Sequence, residues 1–513
     1  MIPLNPRSHD SLSRLRRASF LKFLVTLLLA PGLIFWAPVY SNPSGGVVVH
    51  GDVGMSGGAG TLTITQNSQN AIINWADFSI DAGELTRFVQ PGSSAAALNR
   101  VTGGNPSAIH GALEANGNVF LINPNGILVG PTGTIDVHGL VLSTLDVKNG
   151  EFLAQGDMVF QGDSDAGVTN FGRINAIGGD VFLMGRTVSN HGMVAASSGT
   201  VGLAAGSEVL LSAGEGIRGE RLMVRAGSGS GGTGVLNDGT IEGAAVELKA
   251  HGNVYALAIN NKGSVRATGV NQSGGRVFLR APGGSVANSG SLLAGAPGAG
   301  NAAGSARVLI EAAYARVDGQ IRAEGGGQVR VAATERVEVG GTIDASSATG
   351  LGGDLVVEGR EIEIGSGALL DVSGATGGGF ARIGGGFQGR DAEVSNAESL
   401  VFADGAAIRG DALESGQGGN LILWSDGDTL FAGDLSASGV SGGGFAEISG
   451  RESFSVTGGI DLSASEGASG TLLLDPINIT ISAVGQDPWD GTSSTLSSLW
   501  LSDQLDQGTN VVI

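Results

Sequence analysis

Six histidines, at positions 9, 50, 110, 138, 191 and 251, carry all the imidazole chemistry this sequence can offer. They are widely scattered, and none stands at the spacing of a metal-binding pair. Gly439-Val440-Ser441-Gly442-Gly443 imitates a nucleophile elbow, but no histidine lies beyond position 251 and no helix pattern follows. Gly227 to Gly232 matches the dinucleotide-type Gly-x-Gly-x-x-Gly spacing. It is followed by another turn, Asn237-Asp238-Gly239, where that motif requires a helix. Tandem calcium nonapeptides are missing, and a carbohydrate-cleaving site would need clustered acids with Arg or Lys on one face. Here the acids are dispersed and the bases thin. Arg409-Gly410-Asp411 has the composition of an integrin-type tripeptide, although in a chain this rich in Gly and Asp it reads as a coincidental loop. The expectation is a protein without catalytic residues, metal or cofactor.

The most distinctive local feature is Asn123-Pro124-Asn125-Gly126, set between Val119-Phe120-Leu121-Ile122 and Ile127-Leu128-Val129. Pro suits the second position of a type I turn, Asn the third and Gly the fourth, so the segment predicts two strands joined by a tight corner.

Such corners must be carried by a repeating framework. One phrase, a Gly turn followed one position later by an aliphatic residue, recurs at Asn170–Ile174, Asn190–Val194, Asn237–Ile241, Asn261–Val265, Asn288–Leu292, Asp318–Ile321 and Gly341–Ile343. Its glycines are spaced by 20 (172 to 192), 24 (239 to 263), 27 (263 to 290) and 22 (319 to 341). A second phrase, Gly-Gly-x-aliphatic-x-aliphatic, interleaves with it at positions 178, 274, 326, 352 and 418. Each phrase reads as a turn tolerating positive φ and a short strand of period two. A period of this length, with short strands and no helical pattern, predicts an all-β solenoid. Leucine-rich repeats share the period, but the fixed Leu and Asn ladder they need is missing. The 91 glycines lack a collagen period, and aromatics make up only 5% of the chain, which suits a narrow core of small aliphatics.

The N-terminus reads as a secretory signal: a basic stretch containing Arg7, Arg14, Arg16, Arg17 and Lys22, then an apolar run from Phe20 to Ala37. A single membrane anchor is the rival reading of a run this long, and the break at Pro31-Gly32 favours the signal. Cleavage after Ser41 would leave 23 basic against 47 acidic residues, a net charge of −24. That charge repels phosphate backbones, so nucleic acid is not an expected partner. Exported proteins usually spend cysteines on disulfides, and this chain has none. Its stability must come from repeated burial and hydrogen-bonded ladders.

Between residues 70 and 130 stand Asn70-AIIN-Trp75, Leu98-NRVTGGNP-Ser107 and Val119-FLINPNG-Ile127. This combination resembles the secretion domain of two-partner secretion exoproteins, the filamentous haemagglutinin-like family of Gram-negative bacteria. The match runs over residues 42–290 and looks most like the high-molecular-weight adhesin branch. The further Asn-Pro-Asn-Leu motif of the haemagglutinin branch is not found. The resemblance implies a right-handed parallel β-helix with an N-terminal cap. It also implies export through a dedicated outer-membrane β-barrel transporter with POTRA domains, and a secreted or cell-surface location. It matches Asn123, Pro124, Asn125, Gly126 and Ile127 to the family's secretion motif. Gly377-GGFARIGG and Gly442-GGFAEISG are paired phrases common in passenger regions, as is the stretch 469–482. The expected organisation is a signal peptide at 1–41, a secretion domain at 42–290 and Gly-rich β-helix repeats at 291–513, ending without a capping segment as a truncated sequence would. An adhesin with an unidentified host or neighbouring-cell ligand is the first reading. The alternatives are the stem of a contact-dependent inhibition protein, whose toxin would lie beyond residue 513, and a β-helix enzyme acting on polysaccharide.

Overall fold

Short strands alternating inward aliphatic and outward polar residues can bury only one face, so successive coils stack to bury the rest. The computed structural model describes residues 42–58, 60–214, 219–226, 231–252, 255–269, 274–295, 304–483 and 494–513. The expected signal peptide at 1–41, which includes His9, and residues 227–230 lie outside the described residues.

Three parallel ladders form the faces of the β-helix. The first runs from Ser107–Ile109 through Ile127–Val129 and Val168–Asn170 to Ser453–Val456. The second runs from Thr61–Gln66 through Ala112–Ala115 and Thr134–Val137 to Ile460–Asp461. The third runs from Asn70–Trp75 through Asn118–Ile122 and Gly139–Ser143 to Asn510–Val512. This last ladder holds about sixteen strands, a rod on the order of 70 Å at ~4.8 Å per rung. The interior is one continuous cluster of Val, Ile, Leu and Ala, with Phe88, Phe402, Phe431 and Phe454 at intervals.

The upper end is closed by antiparallel structure. Val47–His50 pairs antiparallel with Asn70–Trp75, and Val53–Gly58 forms a hairpin with Thr61–Gln66. This cap blunts a ladder edge that would otherwise template another chain. At the other end, Ser498–Asp506 forms a helix where the sequence suggested only strand. Its Trp500 and Leu501 pack against the interior cluster, and Trp500 Nε1 donates to the Gly458 carbonyl at 2.9 Å.

Two expectations are corrected. The glycines of the first phrase were read as positive-φ turn residues, yet Gly172, Gly192, Gly239, Gly263, Gly290, Gly319 and Gly341 are absent from the positive-φ positions. They are required by close approach: a Cβ on Gly239 would overlap the Gly192 carbonyl oxygen, and one on Gly263 would overlap that of Gly239. The second correction concerns asparagine. Asn170, Asn190, Asn237, Asn261 and Asn288 point inward on the first face and are fully buried. The side-chain amides of the first four each donate to the side-chain oxygen of the next at 2.7–2.8 Å, so a fixed Asn ladder does exist. Val129 and Val317 occupy the same interior position just beyond its two ends.

The outer side of the third face departs from simple alternation. Gly139–Ser143 and Val181–Gly185 are buried on both sides. A separate antiparallel sheet of Asp146–Val147, Met158–Gln161, Glu208–Leu211 and Leu222–Ala226, with the helix Asn149–Ala154, covers them. Phe152, Phe160, Val209, Leu211 and Leu222 pack there on Leu98, Ile122, Phe182 and Met184. At about 1.5–3 kcal/mol per large side chain, this second core makes the covering sheet part of the fold.

Candidate functional site

The Asn123–Gly126 segment turns the corner between the third face and the first. Its geometry is the expected tight turn: Gly126 N–H donates to the Asn123 carbonyl at 3.1 Å. Gly126 adopts φ +114°, a left-handed conformation that disfavours any side chain. Asn123 is fully buried. Its Oδ1 accepts from the Asn125 backbone at 2.9 Å, and its Nδ2 donates to the Asn105 carbonyl and to Ser107 Oγ, both at 3.0 Å. Asn125 Nδ2 reaches the Gly103 carbonyl at 2.8 Å. Pro124 and Asn125 are exposed, and the Pro124 carbonyl accepts from Ser164 Oγ. Ile127 sits in the core, paired in register with Ser107 below and Val168 above.

The three sequence stretches are therefore joined by direct contact. The loop 102–107 is the corner immediately beneath Asn123–Gly126. Trp75 Nε1 donates to Asn99 Oδ1 at 3.0 Å, and Asn99 Nδ2 donates to the carbonyls of Ala97 and Phe120 at 3.2 and 3.3 Å. Arg100 reaches outward instead. Its guanidinium donates to both Asp146 oxygens, to the Val147 carbonyl at 2.9 Å and to Asn149 at 3.2 Å, fixing the entry to the covering sheet.

A second polar centre, which sequence reasoning missed, bolts the far edge of that sheet to the rod. Glu247 accepts the backbone N–H of Arg221 at 2.6 Å and of Leu222 at 2.9 Å. Lys249 contacts Glu220 and lies 3.9 Å from Glu247, above the Phe278 ring. Arg280 bridges Glu220, at 2.7 Å, and Glu311. Burial pushes the Glu247 carboxyl up and the Lys249 ammonium down. Burial would raise Glu220 as well, but the charges of Lys249 and Arg280 outweigh it and hold that carboxyl below its ordinary range. In the sequence these groups are five isolated charges with no shared spacing. Only the alternation Glu247-Leu248-Lys249, which puts two opposite charges on one side of a strand, hinted at them.

The other candidates are placed as follows. Ala407–Arg409 is a second-face strand, with Arg409 exposed and Gly410 buried. The Asp411 carboxylate accepts from Ser436 Oγ, the Ser438 backbone and Ser438 Oγ at 2.5–2.9 Å, so the tripeptide lies within the ladder. Ser441 stands on an exposed corner and bonds through its backbone to Gly416. Among the described residues, no group of three or more His, Asp or Glu is placed to hold a metal ion.

Comparison with known proteins bears on this geometry. The family described as the TPS secretion domain matches residues 40–294. A heme/hemopexin-binding protein of Haemophilus influenzae strain Rd is 32% identical over 261 residues, covering 48% of this chain and 28% of that protein. A second heme/hemopexin-binding protein of Haemophilus influenzae is 44% identical over 90 residues, 18% of this chain and 10% of its own. The chain thus spans well under a third of the length of these relatives. Among solved structures, the HMW1 secretion domain from Haemophilus influenzae aligns at 26% identity and TM-score 0.48, over 85% of this chain and all of that one. The filamentous hemagglutinin secretion domain aligns at 15% identity and TM-score 0.35, over 67% of this chain and 98% of that one. With its secretion-domain match spanning the cap, the interlocked corners and the covering sheet, the chain belongs to the two-partner secretion family of exported proteins.

Proposed function

We propose that this chain is the exported stem of a surface or secreted adhesin, carried across the outer membrane by a dedicated β-barrel transporter with periplasmic POTRA domains. The observation that carries the reading is the secretion-domain match over residues 40–294, continued by further coils of the same three-faced helix. A cysteine-free chain whose coils each pair with the coil before suits passage in an unfolded state and assembly afterwards. The acidic rod then presents surface for a partner on a host or neighbouring cell. Deleting the gene for the partner barrel is expected to trap the protein behind the outer membrane; undiminished release into the medium would refute the export reading. Binding of the purified chain to cultured host cells tests the adhesin reading, and heme and hemopexin, named for the relatives, are the soluble ligands to include.

Within this reading, Asn123, Pro124, Asn125, Gly126 and Ile127 act in secretion by fixing the first coils, not by touching the transporter. The burial of Asn123, Gly126 and Ile127 supports this role. Asn123→Ala removes the acceptor for Asn125 and leaves the Asn105 carbonyl without its donor, a loss of about 1–3 kcal/mol. The exposed Pro124→Ala should cost under ~1 kcal/mol. Secretion titres are expected to follow this order; a secretion defect in Pro124→Ala with unchanged thermal stability would instead assign the corner to transporter contact.

A further inference from the structure

Adjacent coils cross from the third face to the first in a few residues: Asp354–Glu358 is followed at once by Glu361–Ile364, and Phe445–Gly450 by Ser453–Val456. Between Phe380–Ile383 and Ala397–Phe402 the same crossing takes residues 384–396. The extra chain does not project into solvent. It lies back across the outer side of the third face, over later coils, as a strap.

The two paired Gly-rich phrases supply its anchors. They differ at one charged position, Arg382 in the first and Glu447 in the second. Arg382 donates to Asp391 in the strap at 3.0 Å and to Asp354 at 2.9 Å. Glu447 is fully buried and accepts the Gln388 N–H with both oxygens, at 3.2 and 3.1 Å. Gln388 Nε2 reaches on to Asp475 at 3.0 Å, and the Phe387 ring lies 5.9 Å from that of Phe445. Asn396 ties the strap's end to the Gly389 carbonyl and to Asp426. Ser395 N–H donates to Glu358. Gln388 holds φ +52°, a left-handed conformation costly for a residue with a side chain, so the contacts it makes must hold it there.

The environment of Glu447 is one-sided. Its in-register neighbours on the outer face are Ile422 and Leu473, and Arg382 stands a further rung away beyond Ile422. The charged group that faces it is another carboxylate, Asp475, alongside the Gln388 amide and Ser449. Burial, with Asp475 adding to it, pushes the Glu447 carboxyl up to about 7.

We propose that residues 384–396 form a pH-sensitive strap latched by Glu447, closed most tightly in mildly acid medium and loosened as the pH rises through neutrality. In the closed strap Glu447 is protonated more readily than in water. The stability its proton contributes is therefore full below about 4.5, the ordinary carboxyl value, and is lost as the pH rises through about 7. Opening releases Glu447 to solvent and uncovers Trp424, which is otherwise buried beneath Gly385 and Gly389.

Hydrogen exchange of the full chain tests this, with amide rates corrected for the intrinsic effect of pH. Strap amides 386–395 are expected to lose on the order of 10- to 300-fold protection between pH 5 and pH 8, while the flanking strands stay protected. Glu447→Gln, which keeps an acceptor for Gln388 but cannot ionise, should flatten that profile; Asp475→Asn should shift its midpoint to lower pH. A flat profile in the parent protein, or an unchanged slope in Glu447→Gln, would overturn the proposal.

Discussion

Asn237→Leu is expected to destabilise the rod by about 3–5 kcal/mol, as measured by denaturant unfolding of the full chain. The interior position itself accepts an aliphatic residue, since Val129 and Val317 fill it one coil beyond either end of the ladder. The loss is instead a matter of unmet hydrogen bonds. Asn190 loses the oxygen at 2.8 Å to which it donates, and Asn261 loses the amide that it accepts at 2.7 Å. Both groups lie where water cannot replace the partner. At the ladder's end Asn288 has a single asparagine partner, accepting from Asn261, so Asn288→Val should cost roughly half as much. Replacing all five asparagines by valine should cost far less than five times the single change, because the side-chain donors and acceptors of the ladder then disappear together and the main group left unmet is the Gly172 N–H that Asn170 accepts at 3.1 Å. A single change leaving the midpoint within ~0.5 kcal/mol of the parent would show that the ladder contributes nothing to stability.

The second large effect is expected at Lys249. Lys249→Met leaves Glu247, buried between the rod and the covering sheet, without its cation and removes one of the two cations holding Glu220. Removing one member of such a buried set costs about 3–5 kcal/mol. Because Glu247 also holds the backbone of Arg221 and Leu222, the loss should be felt first as exchange of the Leu222–Ala226 strand. The sign of the pH dependence follows from the remaining acids. Without Lys249 their folded-state carboxyl values rise, so the variant's stability is best below their ordinary range and declines as the pH increases. The deficit against the parent should therefore shrink toward pH 5. A deficit that stayed constant from pH 5 to 8 would mean that Lys249 acts through packing on Phe278, not through charge.

Much of the helix was readable because its two recurring phrases are strands of two faces. The Gly-turn phrase opens second-face strands such as Arg173–Ala176 and Ser264–Ala267. The Gly-Gly phrase opens third-face strands such as Val181–Gly185 and Asp354–Glu358. First-face strands were harder to see, since their mark is a buried Asn that local turn chemistry explains equally well. The covering sheet was not visible at all. Its strands at 146–147, 158–161, 208–211 and 222–226 pair antiparallel across long separations and follow no period. The corner at Asn123 was legible as a turn, but its union with Asn105, Ser107 and Gly103 depends on which coil lies beneath which. The strap was hidden similarly: the phrases holding Arg382 and Glu447 were noticed as a pair, and only stacking shows that one inserted loop joins them.

The direction of the ladders has a mechanical consequence. Hydrogen bonds between successive coils run along the rod, so tension applied at its two ends loads the coils in series. Such a rod yields like a spool and not like a rigid beam. Each coil of 20–27 residues (the glycine spacing of the first phrase) that peels away would release roughly 70–90 Å of extended chain. The Asn ladder from 170 to 288 adds a buried side-chain hydrogen bond at each coil boundary it crosses, which must also break before those coils peel. If the chain acts as the proposed adhesin stem, a tether built this way lengthens coil by coil under load, spreading a sudden pull over time before its outer attachment must bear the whole force.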